Sequence, residues 1–243
     1  MRRLNRLYVI MTLLLIGIVV SHCSKKPTEP DIEYGTMTDQ DGNIYKTVAI
    51  GDQVWMAENL KVTHYRNGDA IPNVTDQSEW AELSVGAFCA FNNDESNAEI
   101  YGYLYNWYAT NDSRAIAPAD WHMPTDEEWK ELEMFLGMSQ AEADSGTGWR
   151  GLDEGEKLKE SGRTHWNYPN FASNESGFTA LPGCSRHASG EFFFPLGDFA
   201  LFWSATENDS DEAWYRFLMN NAVDVDRRTQ SKRAGLSVRL VQN

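Results

Sequence analysis

Cysteine is scarce in this 243-residue chain: Cys23, Cys89 and Cys184 are the whole supply. That excludes a multiply bridged small scaffold and a four-cysteine zinc site. Histidine is nearly as rare, and His64, His122, His165 and His187 stand apart with no H-E-x-x-H or H-x-H spacing. Bases are outnumbered 21 to 36 by acids, for a net charge of −15. So few Lys and Arg exclude general nucleic-acid binding, which rests on basic patches. No apolar run reaches the ~20 residues of a membrane-spanning helix; the longest, Leu7–Val20, has 14. G-x-S-x-G, P-loop and G-x-G-x-x-G sequences are missing too, and no two carboxylates stand out as a glycosidase pair. No Pro/Ser/Gly-rich linker and no repeat of ~20–50 residues divides the body, so one large domain is expected.

Aromatic residues, by contrast, are plentiful: nine Trp, ten Tyr and eleven Phe, enough for a large aromatic core. They are densest over Tyr101–Gly137, which also carries the clearest local signal. Thr125 in T-D-E-E reads as a helix N-cap with Glu128 closing a capping box. Asp126, Glu127 and Glu128 suit the positive end of the helix dipole. Trp129, Leu132, Phe135 and Leu136 are read as one apolar face, and Gly137 ends the helix. Tyr103, Leu104, Trp107 and Tyr108 predict a second helix just upstream.

Along the rest of the body, Asp41-Gly42 and Gly51-Asp52 predict turns in a β region over residues 36–60. Ser78 is expected to cap a short helix carrying Trp80, and Ser139 with Glu142 offers another capping box. Residues 92–99, NNDESNAE, read as a polar loop. Residues 145–176 read as an irregular insertion rich in turn formers. Short β-like runs follow at Gly177–Leu181, Glu191–Phe194, Ala200–Thr206, Ala213–Met219, Ala222–Asp226 and Leu236–Val241. The layout is α+β with segregated elements, two main helices and short antiparallel strands.

The N-terminus reads as an address. Arg2, Arg3 and Arg6 precede the apolar run, as in a secretory signal, and V-V-S-H-C-S resembles a bacterial lipobox, with His22 where a small residue is usual. The resemblance implies a signal peptide over 1–22 and lipidation at Cys23. Residues 23–35 then form a flexible tether to a domain over 36–243. Loss of 1–22 removes three bases and no acid, leaving a charge of −18. Ser24 lacks the acidic character that retains some lipoproteins at the inner membrane, so the outer membrane or cell surface is expected.

Six segments in order, DQDGNIYKTVAIGDQVWMAENL (39–60), YGYLYNWYA (101–109), WHMPTDEEW (121–129), SGFTALPG (176–183), FWSAT (202–206) and SVRLV (237–241), resemble the Fibrobacter succinogenes major paralogous domain. That family is similar to formylglycine-generating-enzyme-like (sulfatase-modifying-factor-like) and C-type-lectin-like folds, with Pro124–Trp129 and Arg239-Leu240 as their landmark motifs. The resemblance implies an exported, often lipid-anchored protein and a lectin-like frame, without assigning an activity.

Three function readings follow. The first is a non-catalytic envelope lipoprotein displaying a domain that binds a glycan or a protein. Trp149, Trp166 and Tyr168 are its candidate stacking residues, against their filling a small core of the insertion itself, and Asp94, Glu95 and Glu99 are candidate oxygen ligands for Ca²⁺, against a solvated turn. The E-P-N, Q-P-D and W-N-D motifs of sugar-binding lectins do not occur. The second is a formylglycine-generating-enzyme-like oxidoreductase, which needs two nearby reduced cysteines and copper. Cys89 and Cys184 read instead as a structural disulfide, ahead of two buried thiols. A purely structural envelope component is the third reading.

Overall fold

The structure is a computed structural model that describes residues 32–243. Cys23 and the segments expected as a signal peptide and most of a tether lie outside the described residues. In chain order come β1 (Tyr34–Thr38), β2 (Ile44–Ile50), β3 (Gln53–Met56), α1 (Gln77–Ala81), β4 (Phe88–Cys89), a 3₁₀ turn (Phe91–Asn93) and α2 (Glu95–Tyr101). Then follow β5 (Leu104–Tyr105), α3 (Trp107–Thr110), β6 (Trp121–His122), α4 (Asp126–Phe135) and α5 (Gln140–Ala143). The last are β7 (Gly148–Arg150), α6 (Glu154–Leu158), β8 (Phe199–Glu207), β9 (Glu212–Met219), β10 (Val225–Ser231) and β11 (Val241–Gln242).

These make an α+β fold with three antiparallel sheets. One has five strands in the order β1-β2-β3-β11-β6, one has four in the order β7-β10-β9-β8, and β4-β5 is a two-stranded ribbon. The segment Gly235–Leu240 threads between them. The Leu236 N–H donates to the Tyr105 carbonyl, the Ser237 carbonyl accepts from Trp203, and those of Val238 and Leu240 accept from Leu60 and Met56. Each pairing is brief, so the expected strand over Leu236–Val241 shrinks to β11.

Local signals explain much of this. Gly42 (φ 84°) and Gly51 (φ 63°) take the left-handed conformations that the two hairpin turns require. The Thr125 capping box forms on both sides: its hydroxyl accepts from the Glu128 N–H at 3.2 Å, and its own N–H donates to Glu128 Oε2 at 2.7 Å. Ser139 and Glu142 do the same for α5.

Other expectations are corrected. The polar loop 92–99 is largely helix, because Asp94 caps α2 by accepting from the Ser96 N–H. The second main helix is not found: Leu104 and Tyr105 pair with β4, and Asn106 caps only the four residues of α3. Asp76, not Ser78, caps α1. Phe135 is 64% exposed, since six residues past Trp129 is about a third of a turn off its face. The positions nearer that face are Asp126 and Glu133, and both are buried.

Those two acids decide how α4 sits on the four-stranded sheet. Residues alternate between sheet faces, and the inner face carries Phe202, Arg216, Leu218, Arg227 and Arg150. Trp129 packs on Phe202 at 5.9 Å, on Phe178 at 5.7 Å and on Trp55 at 4.8 Å between ring centroids. Beside it Arg216 reaches Asp126 at 2.7 Å and also bonds Glu133. Arg227 closes on Asp126, and Arg150 on Glu133, each at 2.6 Å. Burial alone would raise the Asp126 carboxyl, but the Arg227 and Arg216 guanidiniums outweigh it and hold it at about 2.

Three further buried cations bond only carbonyl or amide oxygens. Lys159 Nζ donates to the Met219 and Ala222 carbonyls at 2.8 and 2.6 Å. The Arg239 guanidinium, 4.6 Å from the Phe178 ring, bonds the Asn59 side chain and the carbonyls of Met56, Phe178 and Thr179. Arg186 bonds the carbonyls of Val74, Thr75, Asp76 and Gly190. In a loop-rich chain such groups satisfy carbonyls that no strand reaches.

Candidate functional site

The outer face of the four-stranded sheet is built from the alternate residues of the same strands: Phe199 and Leu201, Tyr215 and Phe217, Asp226, Arg228 and Gln230, and Trp149. Near Trp203 this face is covered by the core cluster of Leu236 and Val238. Towards Phe199 and Phe217 it opens into a cavity of about 230 Å³, roofed by the loop 185–194.

Arg186 fixes that roof. Its backbone exchanges hydrogen bonds with Gly235 at 2.9 and 2.8 Å, and its guanidinium stacks on Trp80 and Phe192, 4.4 and 5.2 Å from the ring centres. The loop turns at Gly190 (φ 81°), where a Cβ would run into the Gln77 carbonyl. Phe192 then packs inward on Phe91 at 5.2 Å, while Phe193 and Phe194 are 57% and 53% exposed. Phe193 lies against the His187 ring at 4.9 Å. A chain of rings runs from the tip along the sheet: Phe194–Phe199 at 5.0 Å, Phe199–Phe217 at 5.4 Å and Phe217–Trp149 at 5.6 Å.

Polar groups meet the cavity on one side. Arg228 is oriented by two contacts of 2.6 Å to Asp226 Oδ2, and its side chain remains 49% exposed. Gln230 and Ser185 lie beside it, with the Tyr215 hydroxyl. Burial pushes the Tyr215 phenol up to about 12, so at neutral pH it keeps its proton. The arrangement can hold a ring against aromatic walls and donate hydrogen bonds to it.

The residues singled out from sequence fare unequally. Trp149, 38% exposed, joins this ring chain. Trp166 is corrected to core: it is 2% exposed, and its indole N–H donates to the Ala180 carbonyl at 3.0 Å. Tyr168 is 74% exposed under the Arg163 guanidinium, with no ring contact to Trp149 or Trp166 among the described residues. Asp94 is engaged in capping α2, Glu95 accepts from the Tyr103 hydroxyl at 2.7 Å, and Glu99 is exposed. No cluster of three or more His, Cys, Asp or Glu groups converges among the described residues; Glu95 and Glu99 line one pocket with Asn43 and Tyr103, and Asp94 is not part of its lining.

The expected disulfide is not formed. Cys89 and Cys184 are free, fully buried thiols in one apolar cluster with Trp80, Phe91 and Leu104. They enter it from different elements, Cys89 on β4 and Cys184 bridged to β8. Cys184 Sγ donates to the Phe194 carbonyl at 3.5 Å. Burial pushes both thiols up to about 11, unlike the exposed, low-pKa setting of reactive cysteines. Thr63, His64 and Asp41 also meet, yet Thr63 and Asp41 both contact Nδ1 of His64, at 3.1 and 2.8 Å. A relay needs its two partners on opposite ring nitrogens.

The aromatic roof was missed in sequence, although F-F-F between Gly190 and Pro195 carries a signal. The β-like run expected at Glu191–Phe194 is not a strand, yet three successive aromatics in an extended segment cannot all face the core.

Residues 48–242 match the family model of the Fibrobacter succinogenes major domain. The chain belongs to that family. No curated protein and no solved structure matches it. The whole groove falls within the Fibrobacter succinogenes major domain, whereas β1, which pairs along all five residues with β2, precedes the matched range.

Proposed function

We propose that this protein is a non-catalytic, lipid-anchored envelope lipoprotein whose lectin-like domain binds a glycan in the groove between loop 185–194 and the outer sheet face. The observation that carries this reading is the pair of half-exposed rings, Phe193 and Phe194, set beside the side chains of Arg228, Gln230 and Ser185 at the outer sheet face. Large apolar side chains are left in water where a ligand later covers them. The lectin-like frame is supported by the placement of β11 between β3 and β6, and by the packing of the Pro124–Trp129 motif against Trp55. Cys23 carries the lipid anchor, and the tether holds the groove away from the outer membrane. The oxidoreductase alternative is disfavoured by the burial of both remaining thiols.

An array of glycans and envelope peptides tests this reading. Binding to glycans by the wild-type chain, lost in Phe194→Ala and Phe217→Ala, is expected. Glycan binding that both variants retain, or capture of peptides alone, would end it. The anchor has its own test: metabolic labelling with a fatty-acid analogue should mark the wild type and leave Cys23→Ala unlabelled.

A further inference from the structure

The groove is rich in hydrogen-bond donors and poor in free acceptors. Arg228 Nη1 has no acceptor among the described residues, its Nε and Nη2 being held by Asp226. Gln230 Oε1 accepts from the Ser231 N–H, which leaves its Nε2 donor free. His187 Nδ1 meets the Ser189 N–H at 3.1 Å and the Ser189 hydroxyl at 2.9 Å, and its Nε2 has no partner among the described residues. The Ser185 and Tyr215 hydroxyls also lack protein partners there. No Asp or Glu lines the cavity, and Arg228 is its permanent charge, in a chain whose net charge is −15.

We infer that the groove takes a six-membered ring bearing one carboxylate, and specifically a hexuronic acid residue of a glycan. The carboxylate meets Arg228 Nη1 and Gln230 Nε2, a charge-assisted pairing with an oriented guanidinium. The ring lies among Phe194, Phe199 and Phe217, where polarised C–H bonds face the negative faces of the aromatic rings. A cavity of about 230 Å³ is smaller than most ligand pockets and suits a single ring. An aromatic acid would satisfy Arg228 equally well. It would leave the Ser185 and Tyr215 hydroxyls without partners, whereas the hydroxyls of a sugar supply them.

This inference rests on the glycan-binding reading above, and calorimetry separates the two. The probes are methyl glucuronide, methyl glucoside and phenylacetate, titrated into the full chain at low and high salt. Methyl glucuronide should bind at least about tenfold tighter than methyl glucoside, and its affinity should fall as salt rises. Removing Arg228 alone would strand a buried carboxylate, so the variant is Asp226→Asn with Arg228→Gln, its fold checked by thermal melting. That variant should lose about tenfold or more for the glucuronide and keep its weak affinity for the glucoside. Tyr215→Phe, which deletes one hydroxyl, should bind the glucuronide several-fold more weakly. Equal binding of glucoside and glucuronide, both lost in Phe217→Ala, would overturn the carboxylate inference and leave the glycan reading standing. Phenylacetate binding as tightly as the glucuronide would overturn the sugar assignment. No binding of the glucuronide would overturn the inference, the glycan reading then being judged on the array alone.

Discussion

The two faces of the four-stranded sheet are made by alternate residues of the same strands, yet they differ in almost every physical respect. On the inner face Arg216 and Arg227 meet Asp126 and Glu133 of α4, and Trp129 is 1% exposed. On the outer face Arg228 is half exposed beside its one carboxylate, and the rings of Phe194 and Trp149 reach solvent. A buried ion pair is tolerated when every partner is present and is costly when one is missing. On the inner face every guanidinium has its carboxylate, although Arg150 Nε and the Trp129 indole N–H are buried without an acceptor among the described residues; this face is scaffold. The outer face keeps donors and rings in reserve, which stabilises nothing in the free chain and suits a ligand.

Breaking the inner face should have the largest effect. Glu133→Ala leaves Arg216 and Arg150 facing each other without their shared carboxylate, and denaturant titration should show a loss of about 3–5 kcal/mol. Trp129→Ala opens a cavity among Trp55, Phe178 and Phe202 and should cost about 3–5 kcal/mol in the same assay. Acid comes next. Asp126 titrates lower in the folded chain, at about 2, than its ordinary 3.8. Its stabilising effect is therefore complete above about pH 4 and is lost as pH falls towards 2, roughly 2 kcal/mol in all. Melting across that window should show the decline, and Asp126→Asn should flatten it from a lower starting stability. The smallest effect on stability is expected on the outer face: Phe194→Ala should stay within about 0.5 kcal/mol of wild type. Independently of both faces' ion pairs, Cys89 and Cys184 should resist thiol reagents in the folded chain and both react after unfolding without reductant. Failure to label them there would mean they are bridged.

What could be read from sequence follows the range of the interaction. Caps and turns are local, so Thr125, Ser139, Gly42 and Gly51 were legible as they stand. The core role of Trp129 was legible too, because helical spacing places it with Leu132. The same spacing was stretched too far for Phe135, and it hid Asp126 and Glu133, whose burial depends on arginines about 80–100 residues away in the chain. Trp166 stood between a surface role and a small core of the insertion, because its turn-rich neighbours suggest a loop; its burial comes from the cluster with Leu158, Phe178 and Ala180 and from Lys159 over its ring. The groove was illegible for the same reason. Its roof comes from residues 185–194 and its floor from β8, β9 and β10, and no local pattern announces that they meet.

The most direct test of the account is to record melting and glycan binding together for Phe194→Ala and Trp129→Ala. The account predicts that Phe194→Ala melts with the wild type and loses binding, while Trp129→Ala is destabilised and binds in proportion to the fraction that remains folded. Glycan binding that survives in Phe194→Ala, or a melting loss there as large as that of Trp129→Ala, would contradict the division of the sheet into a scaffold face and a binding face.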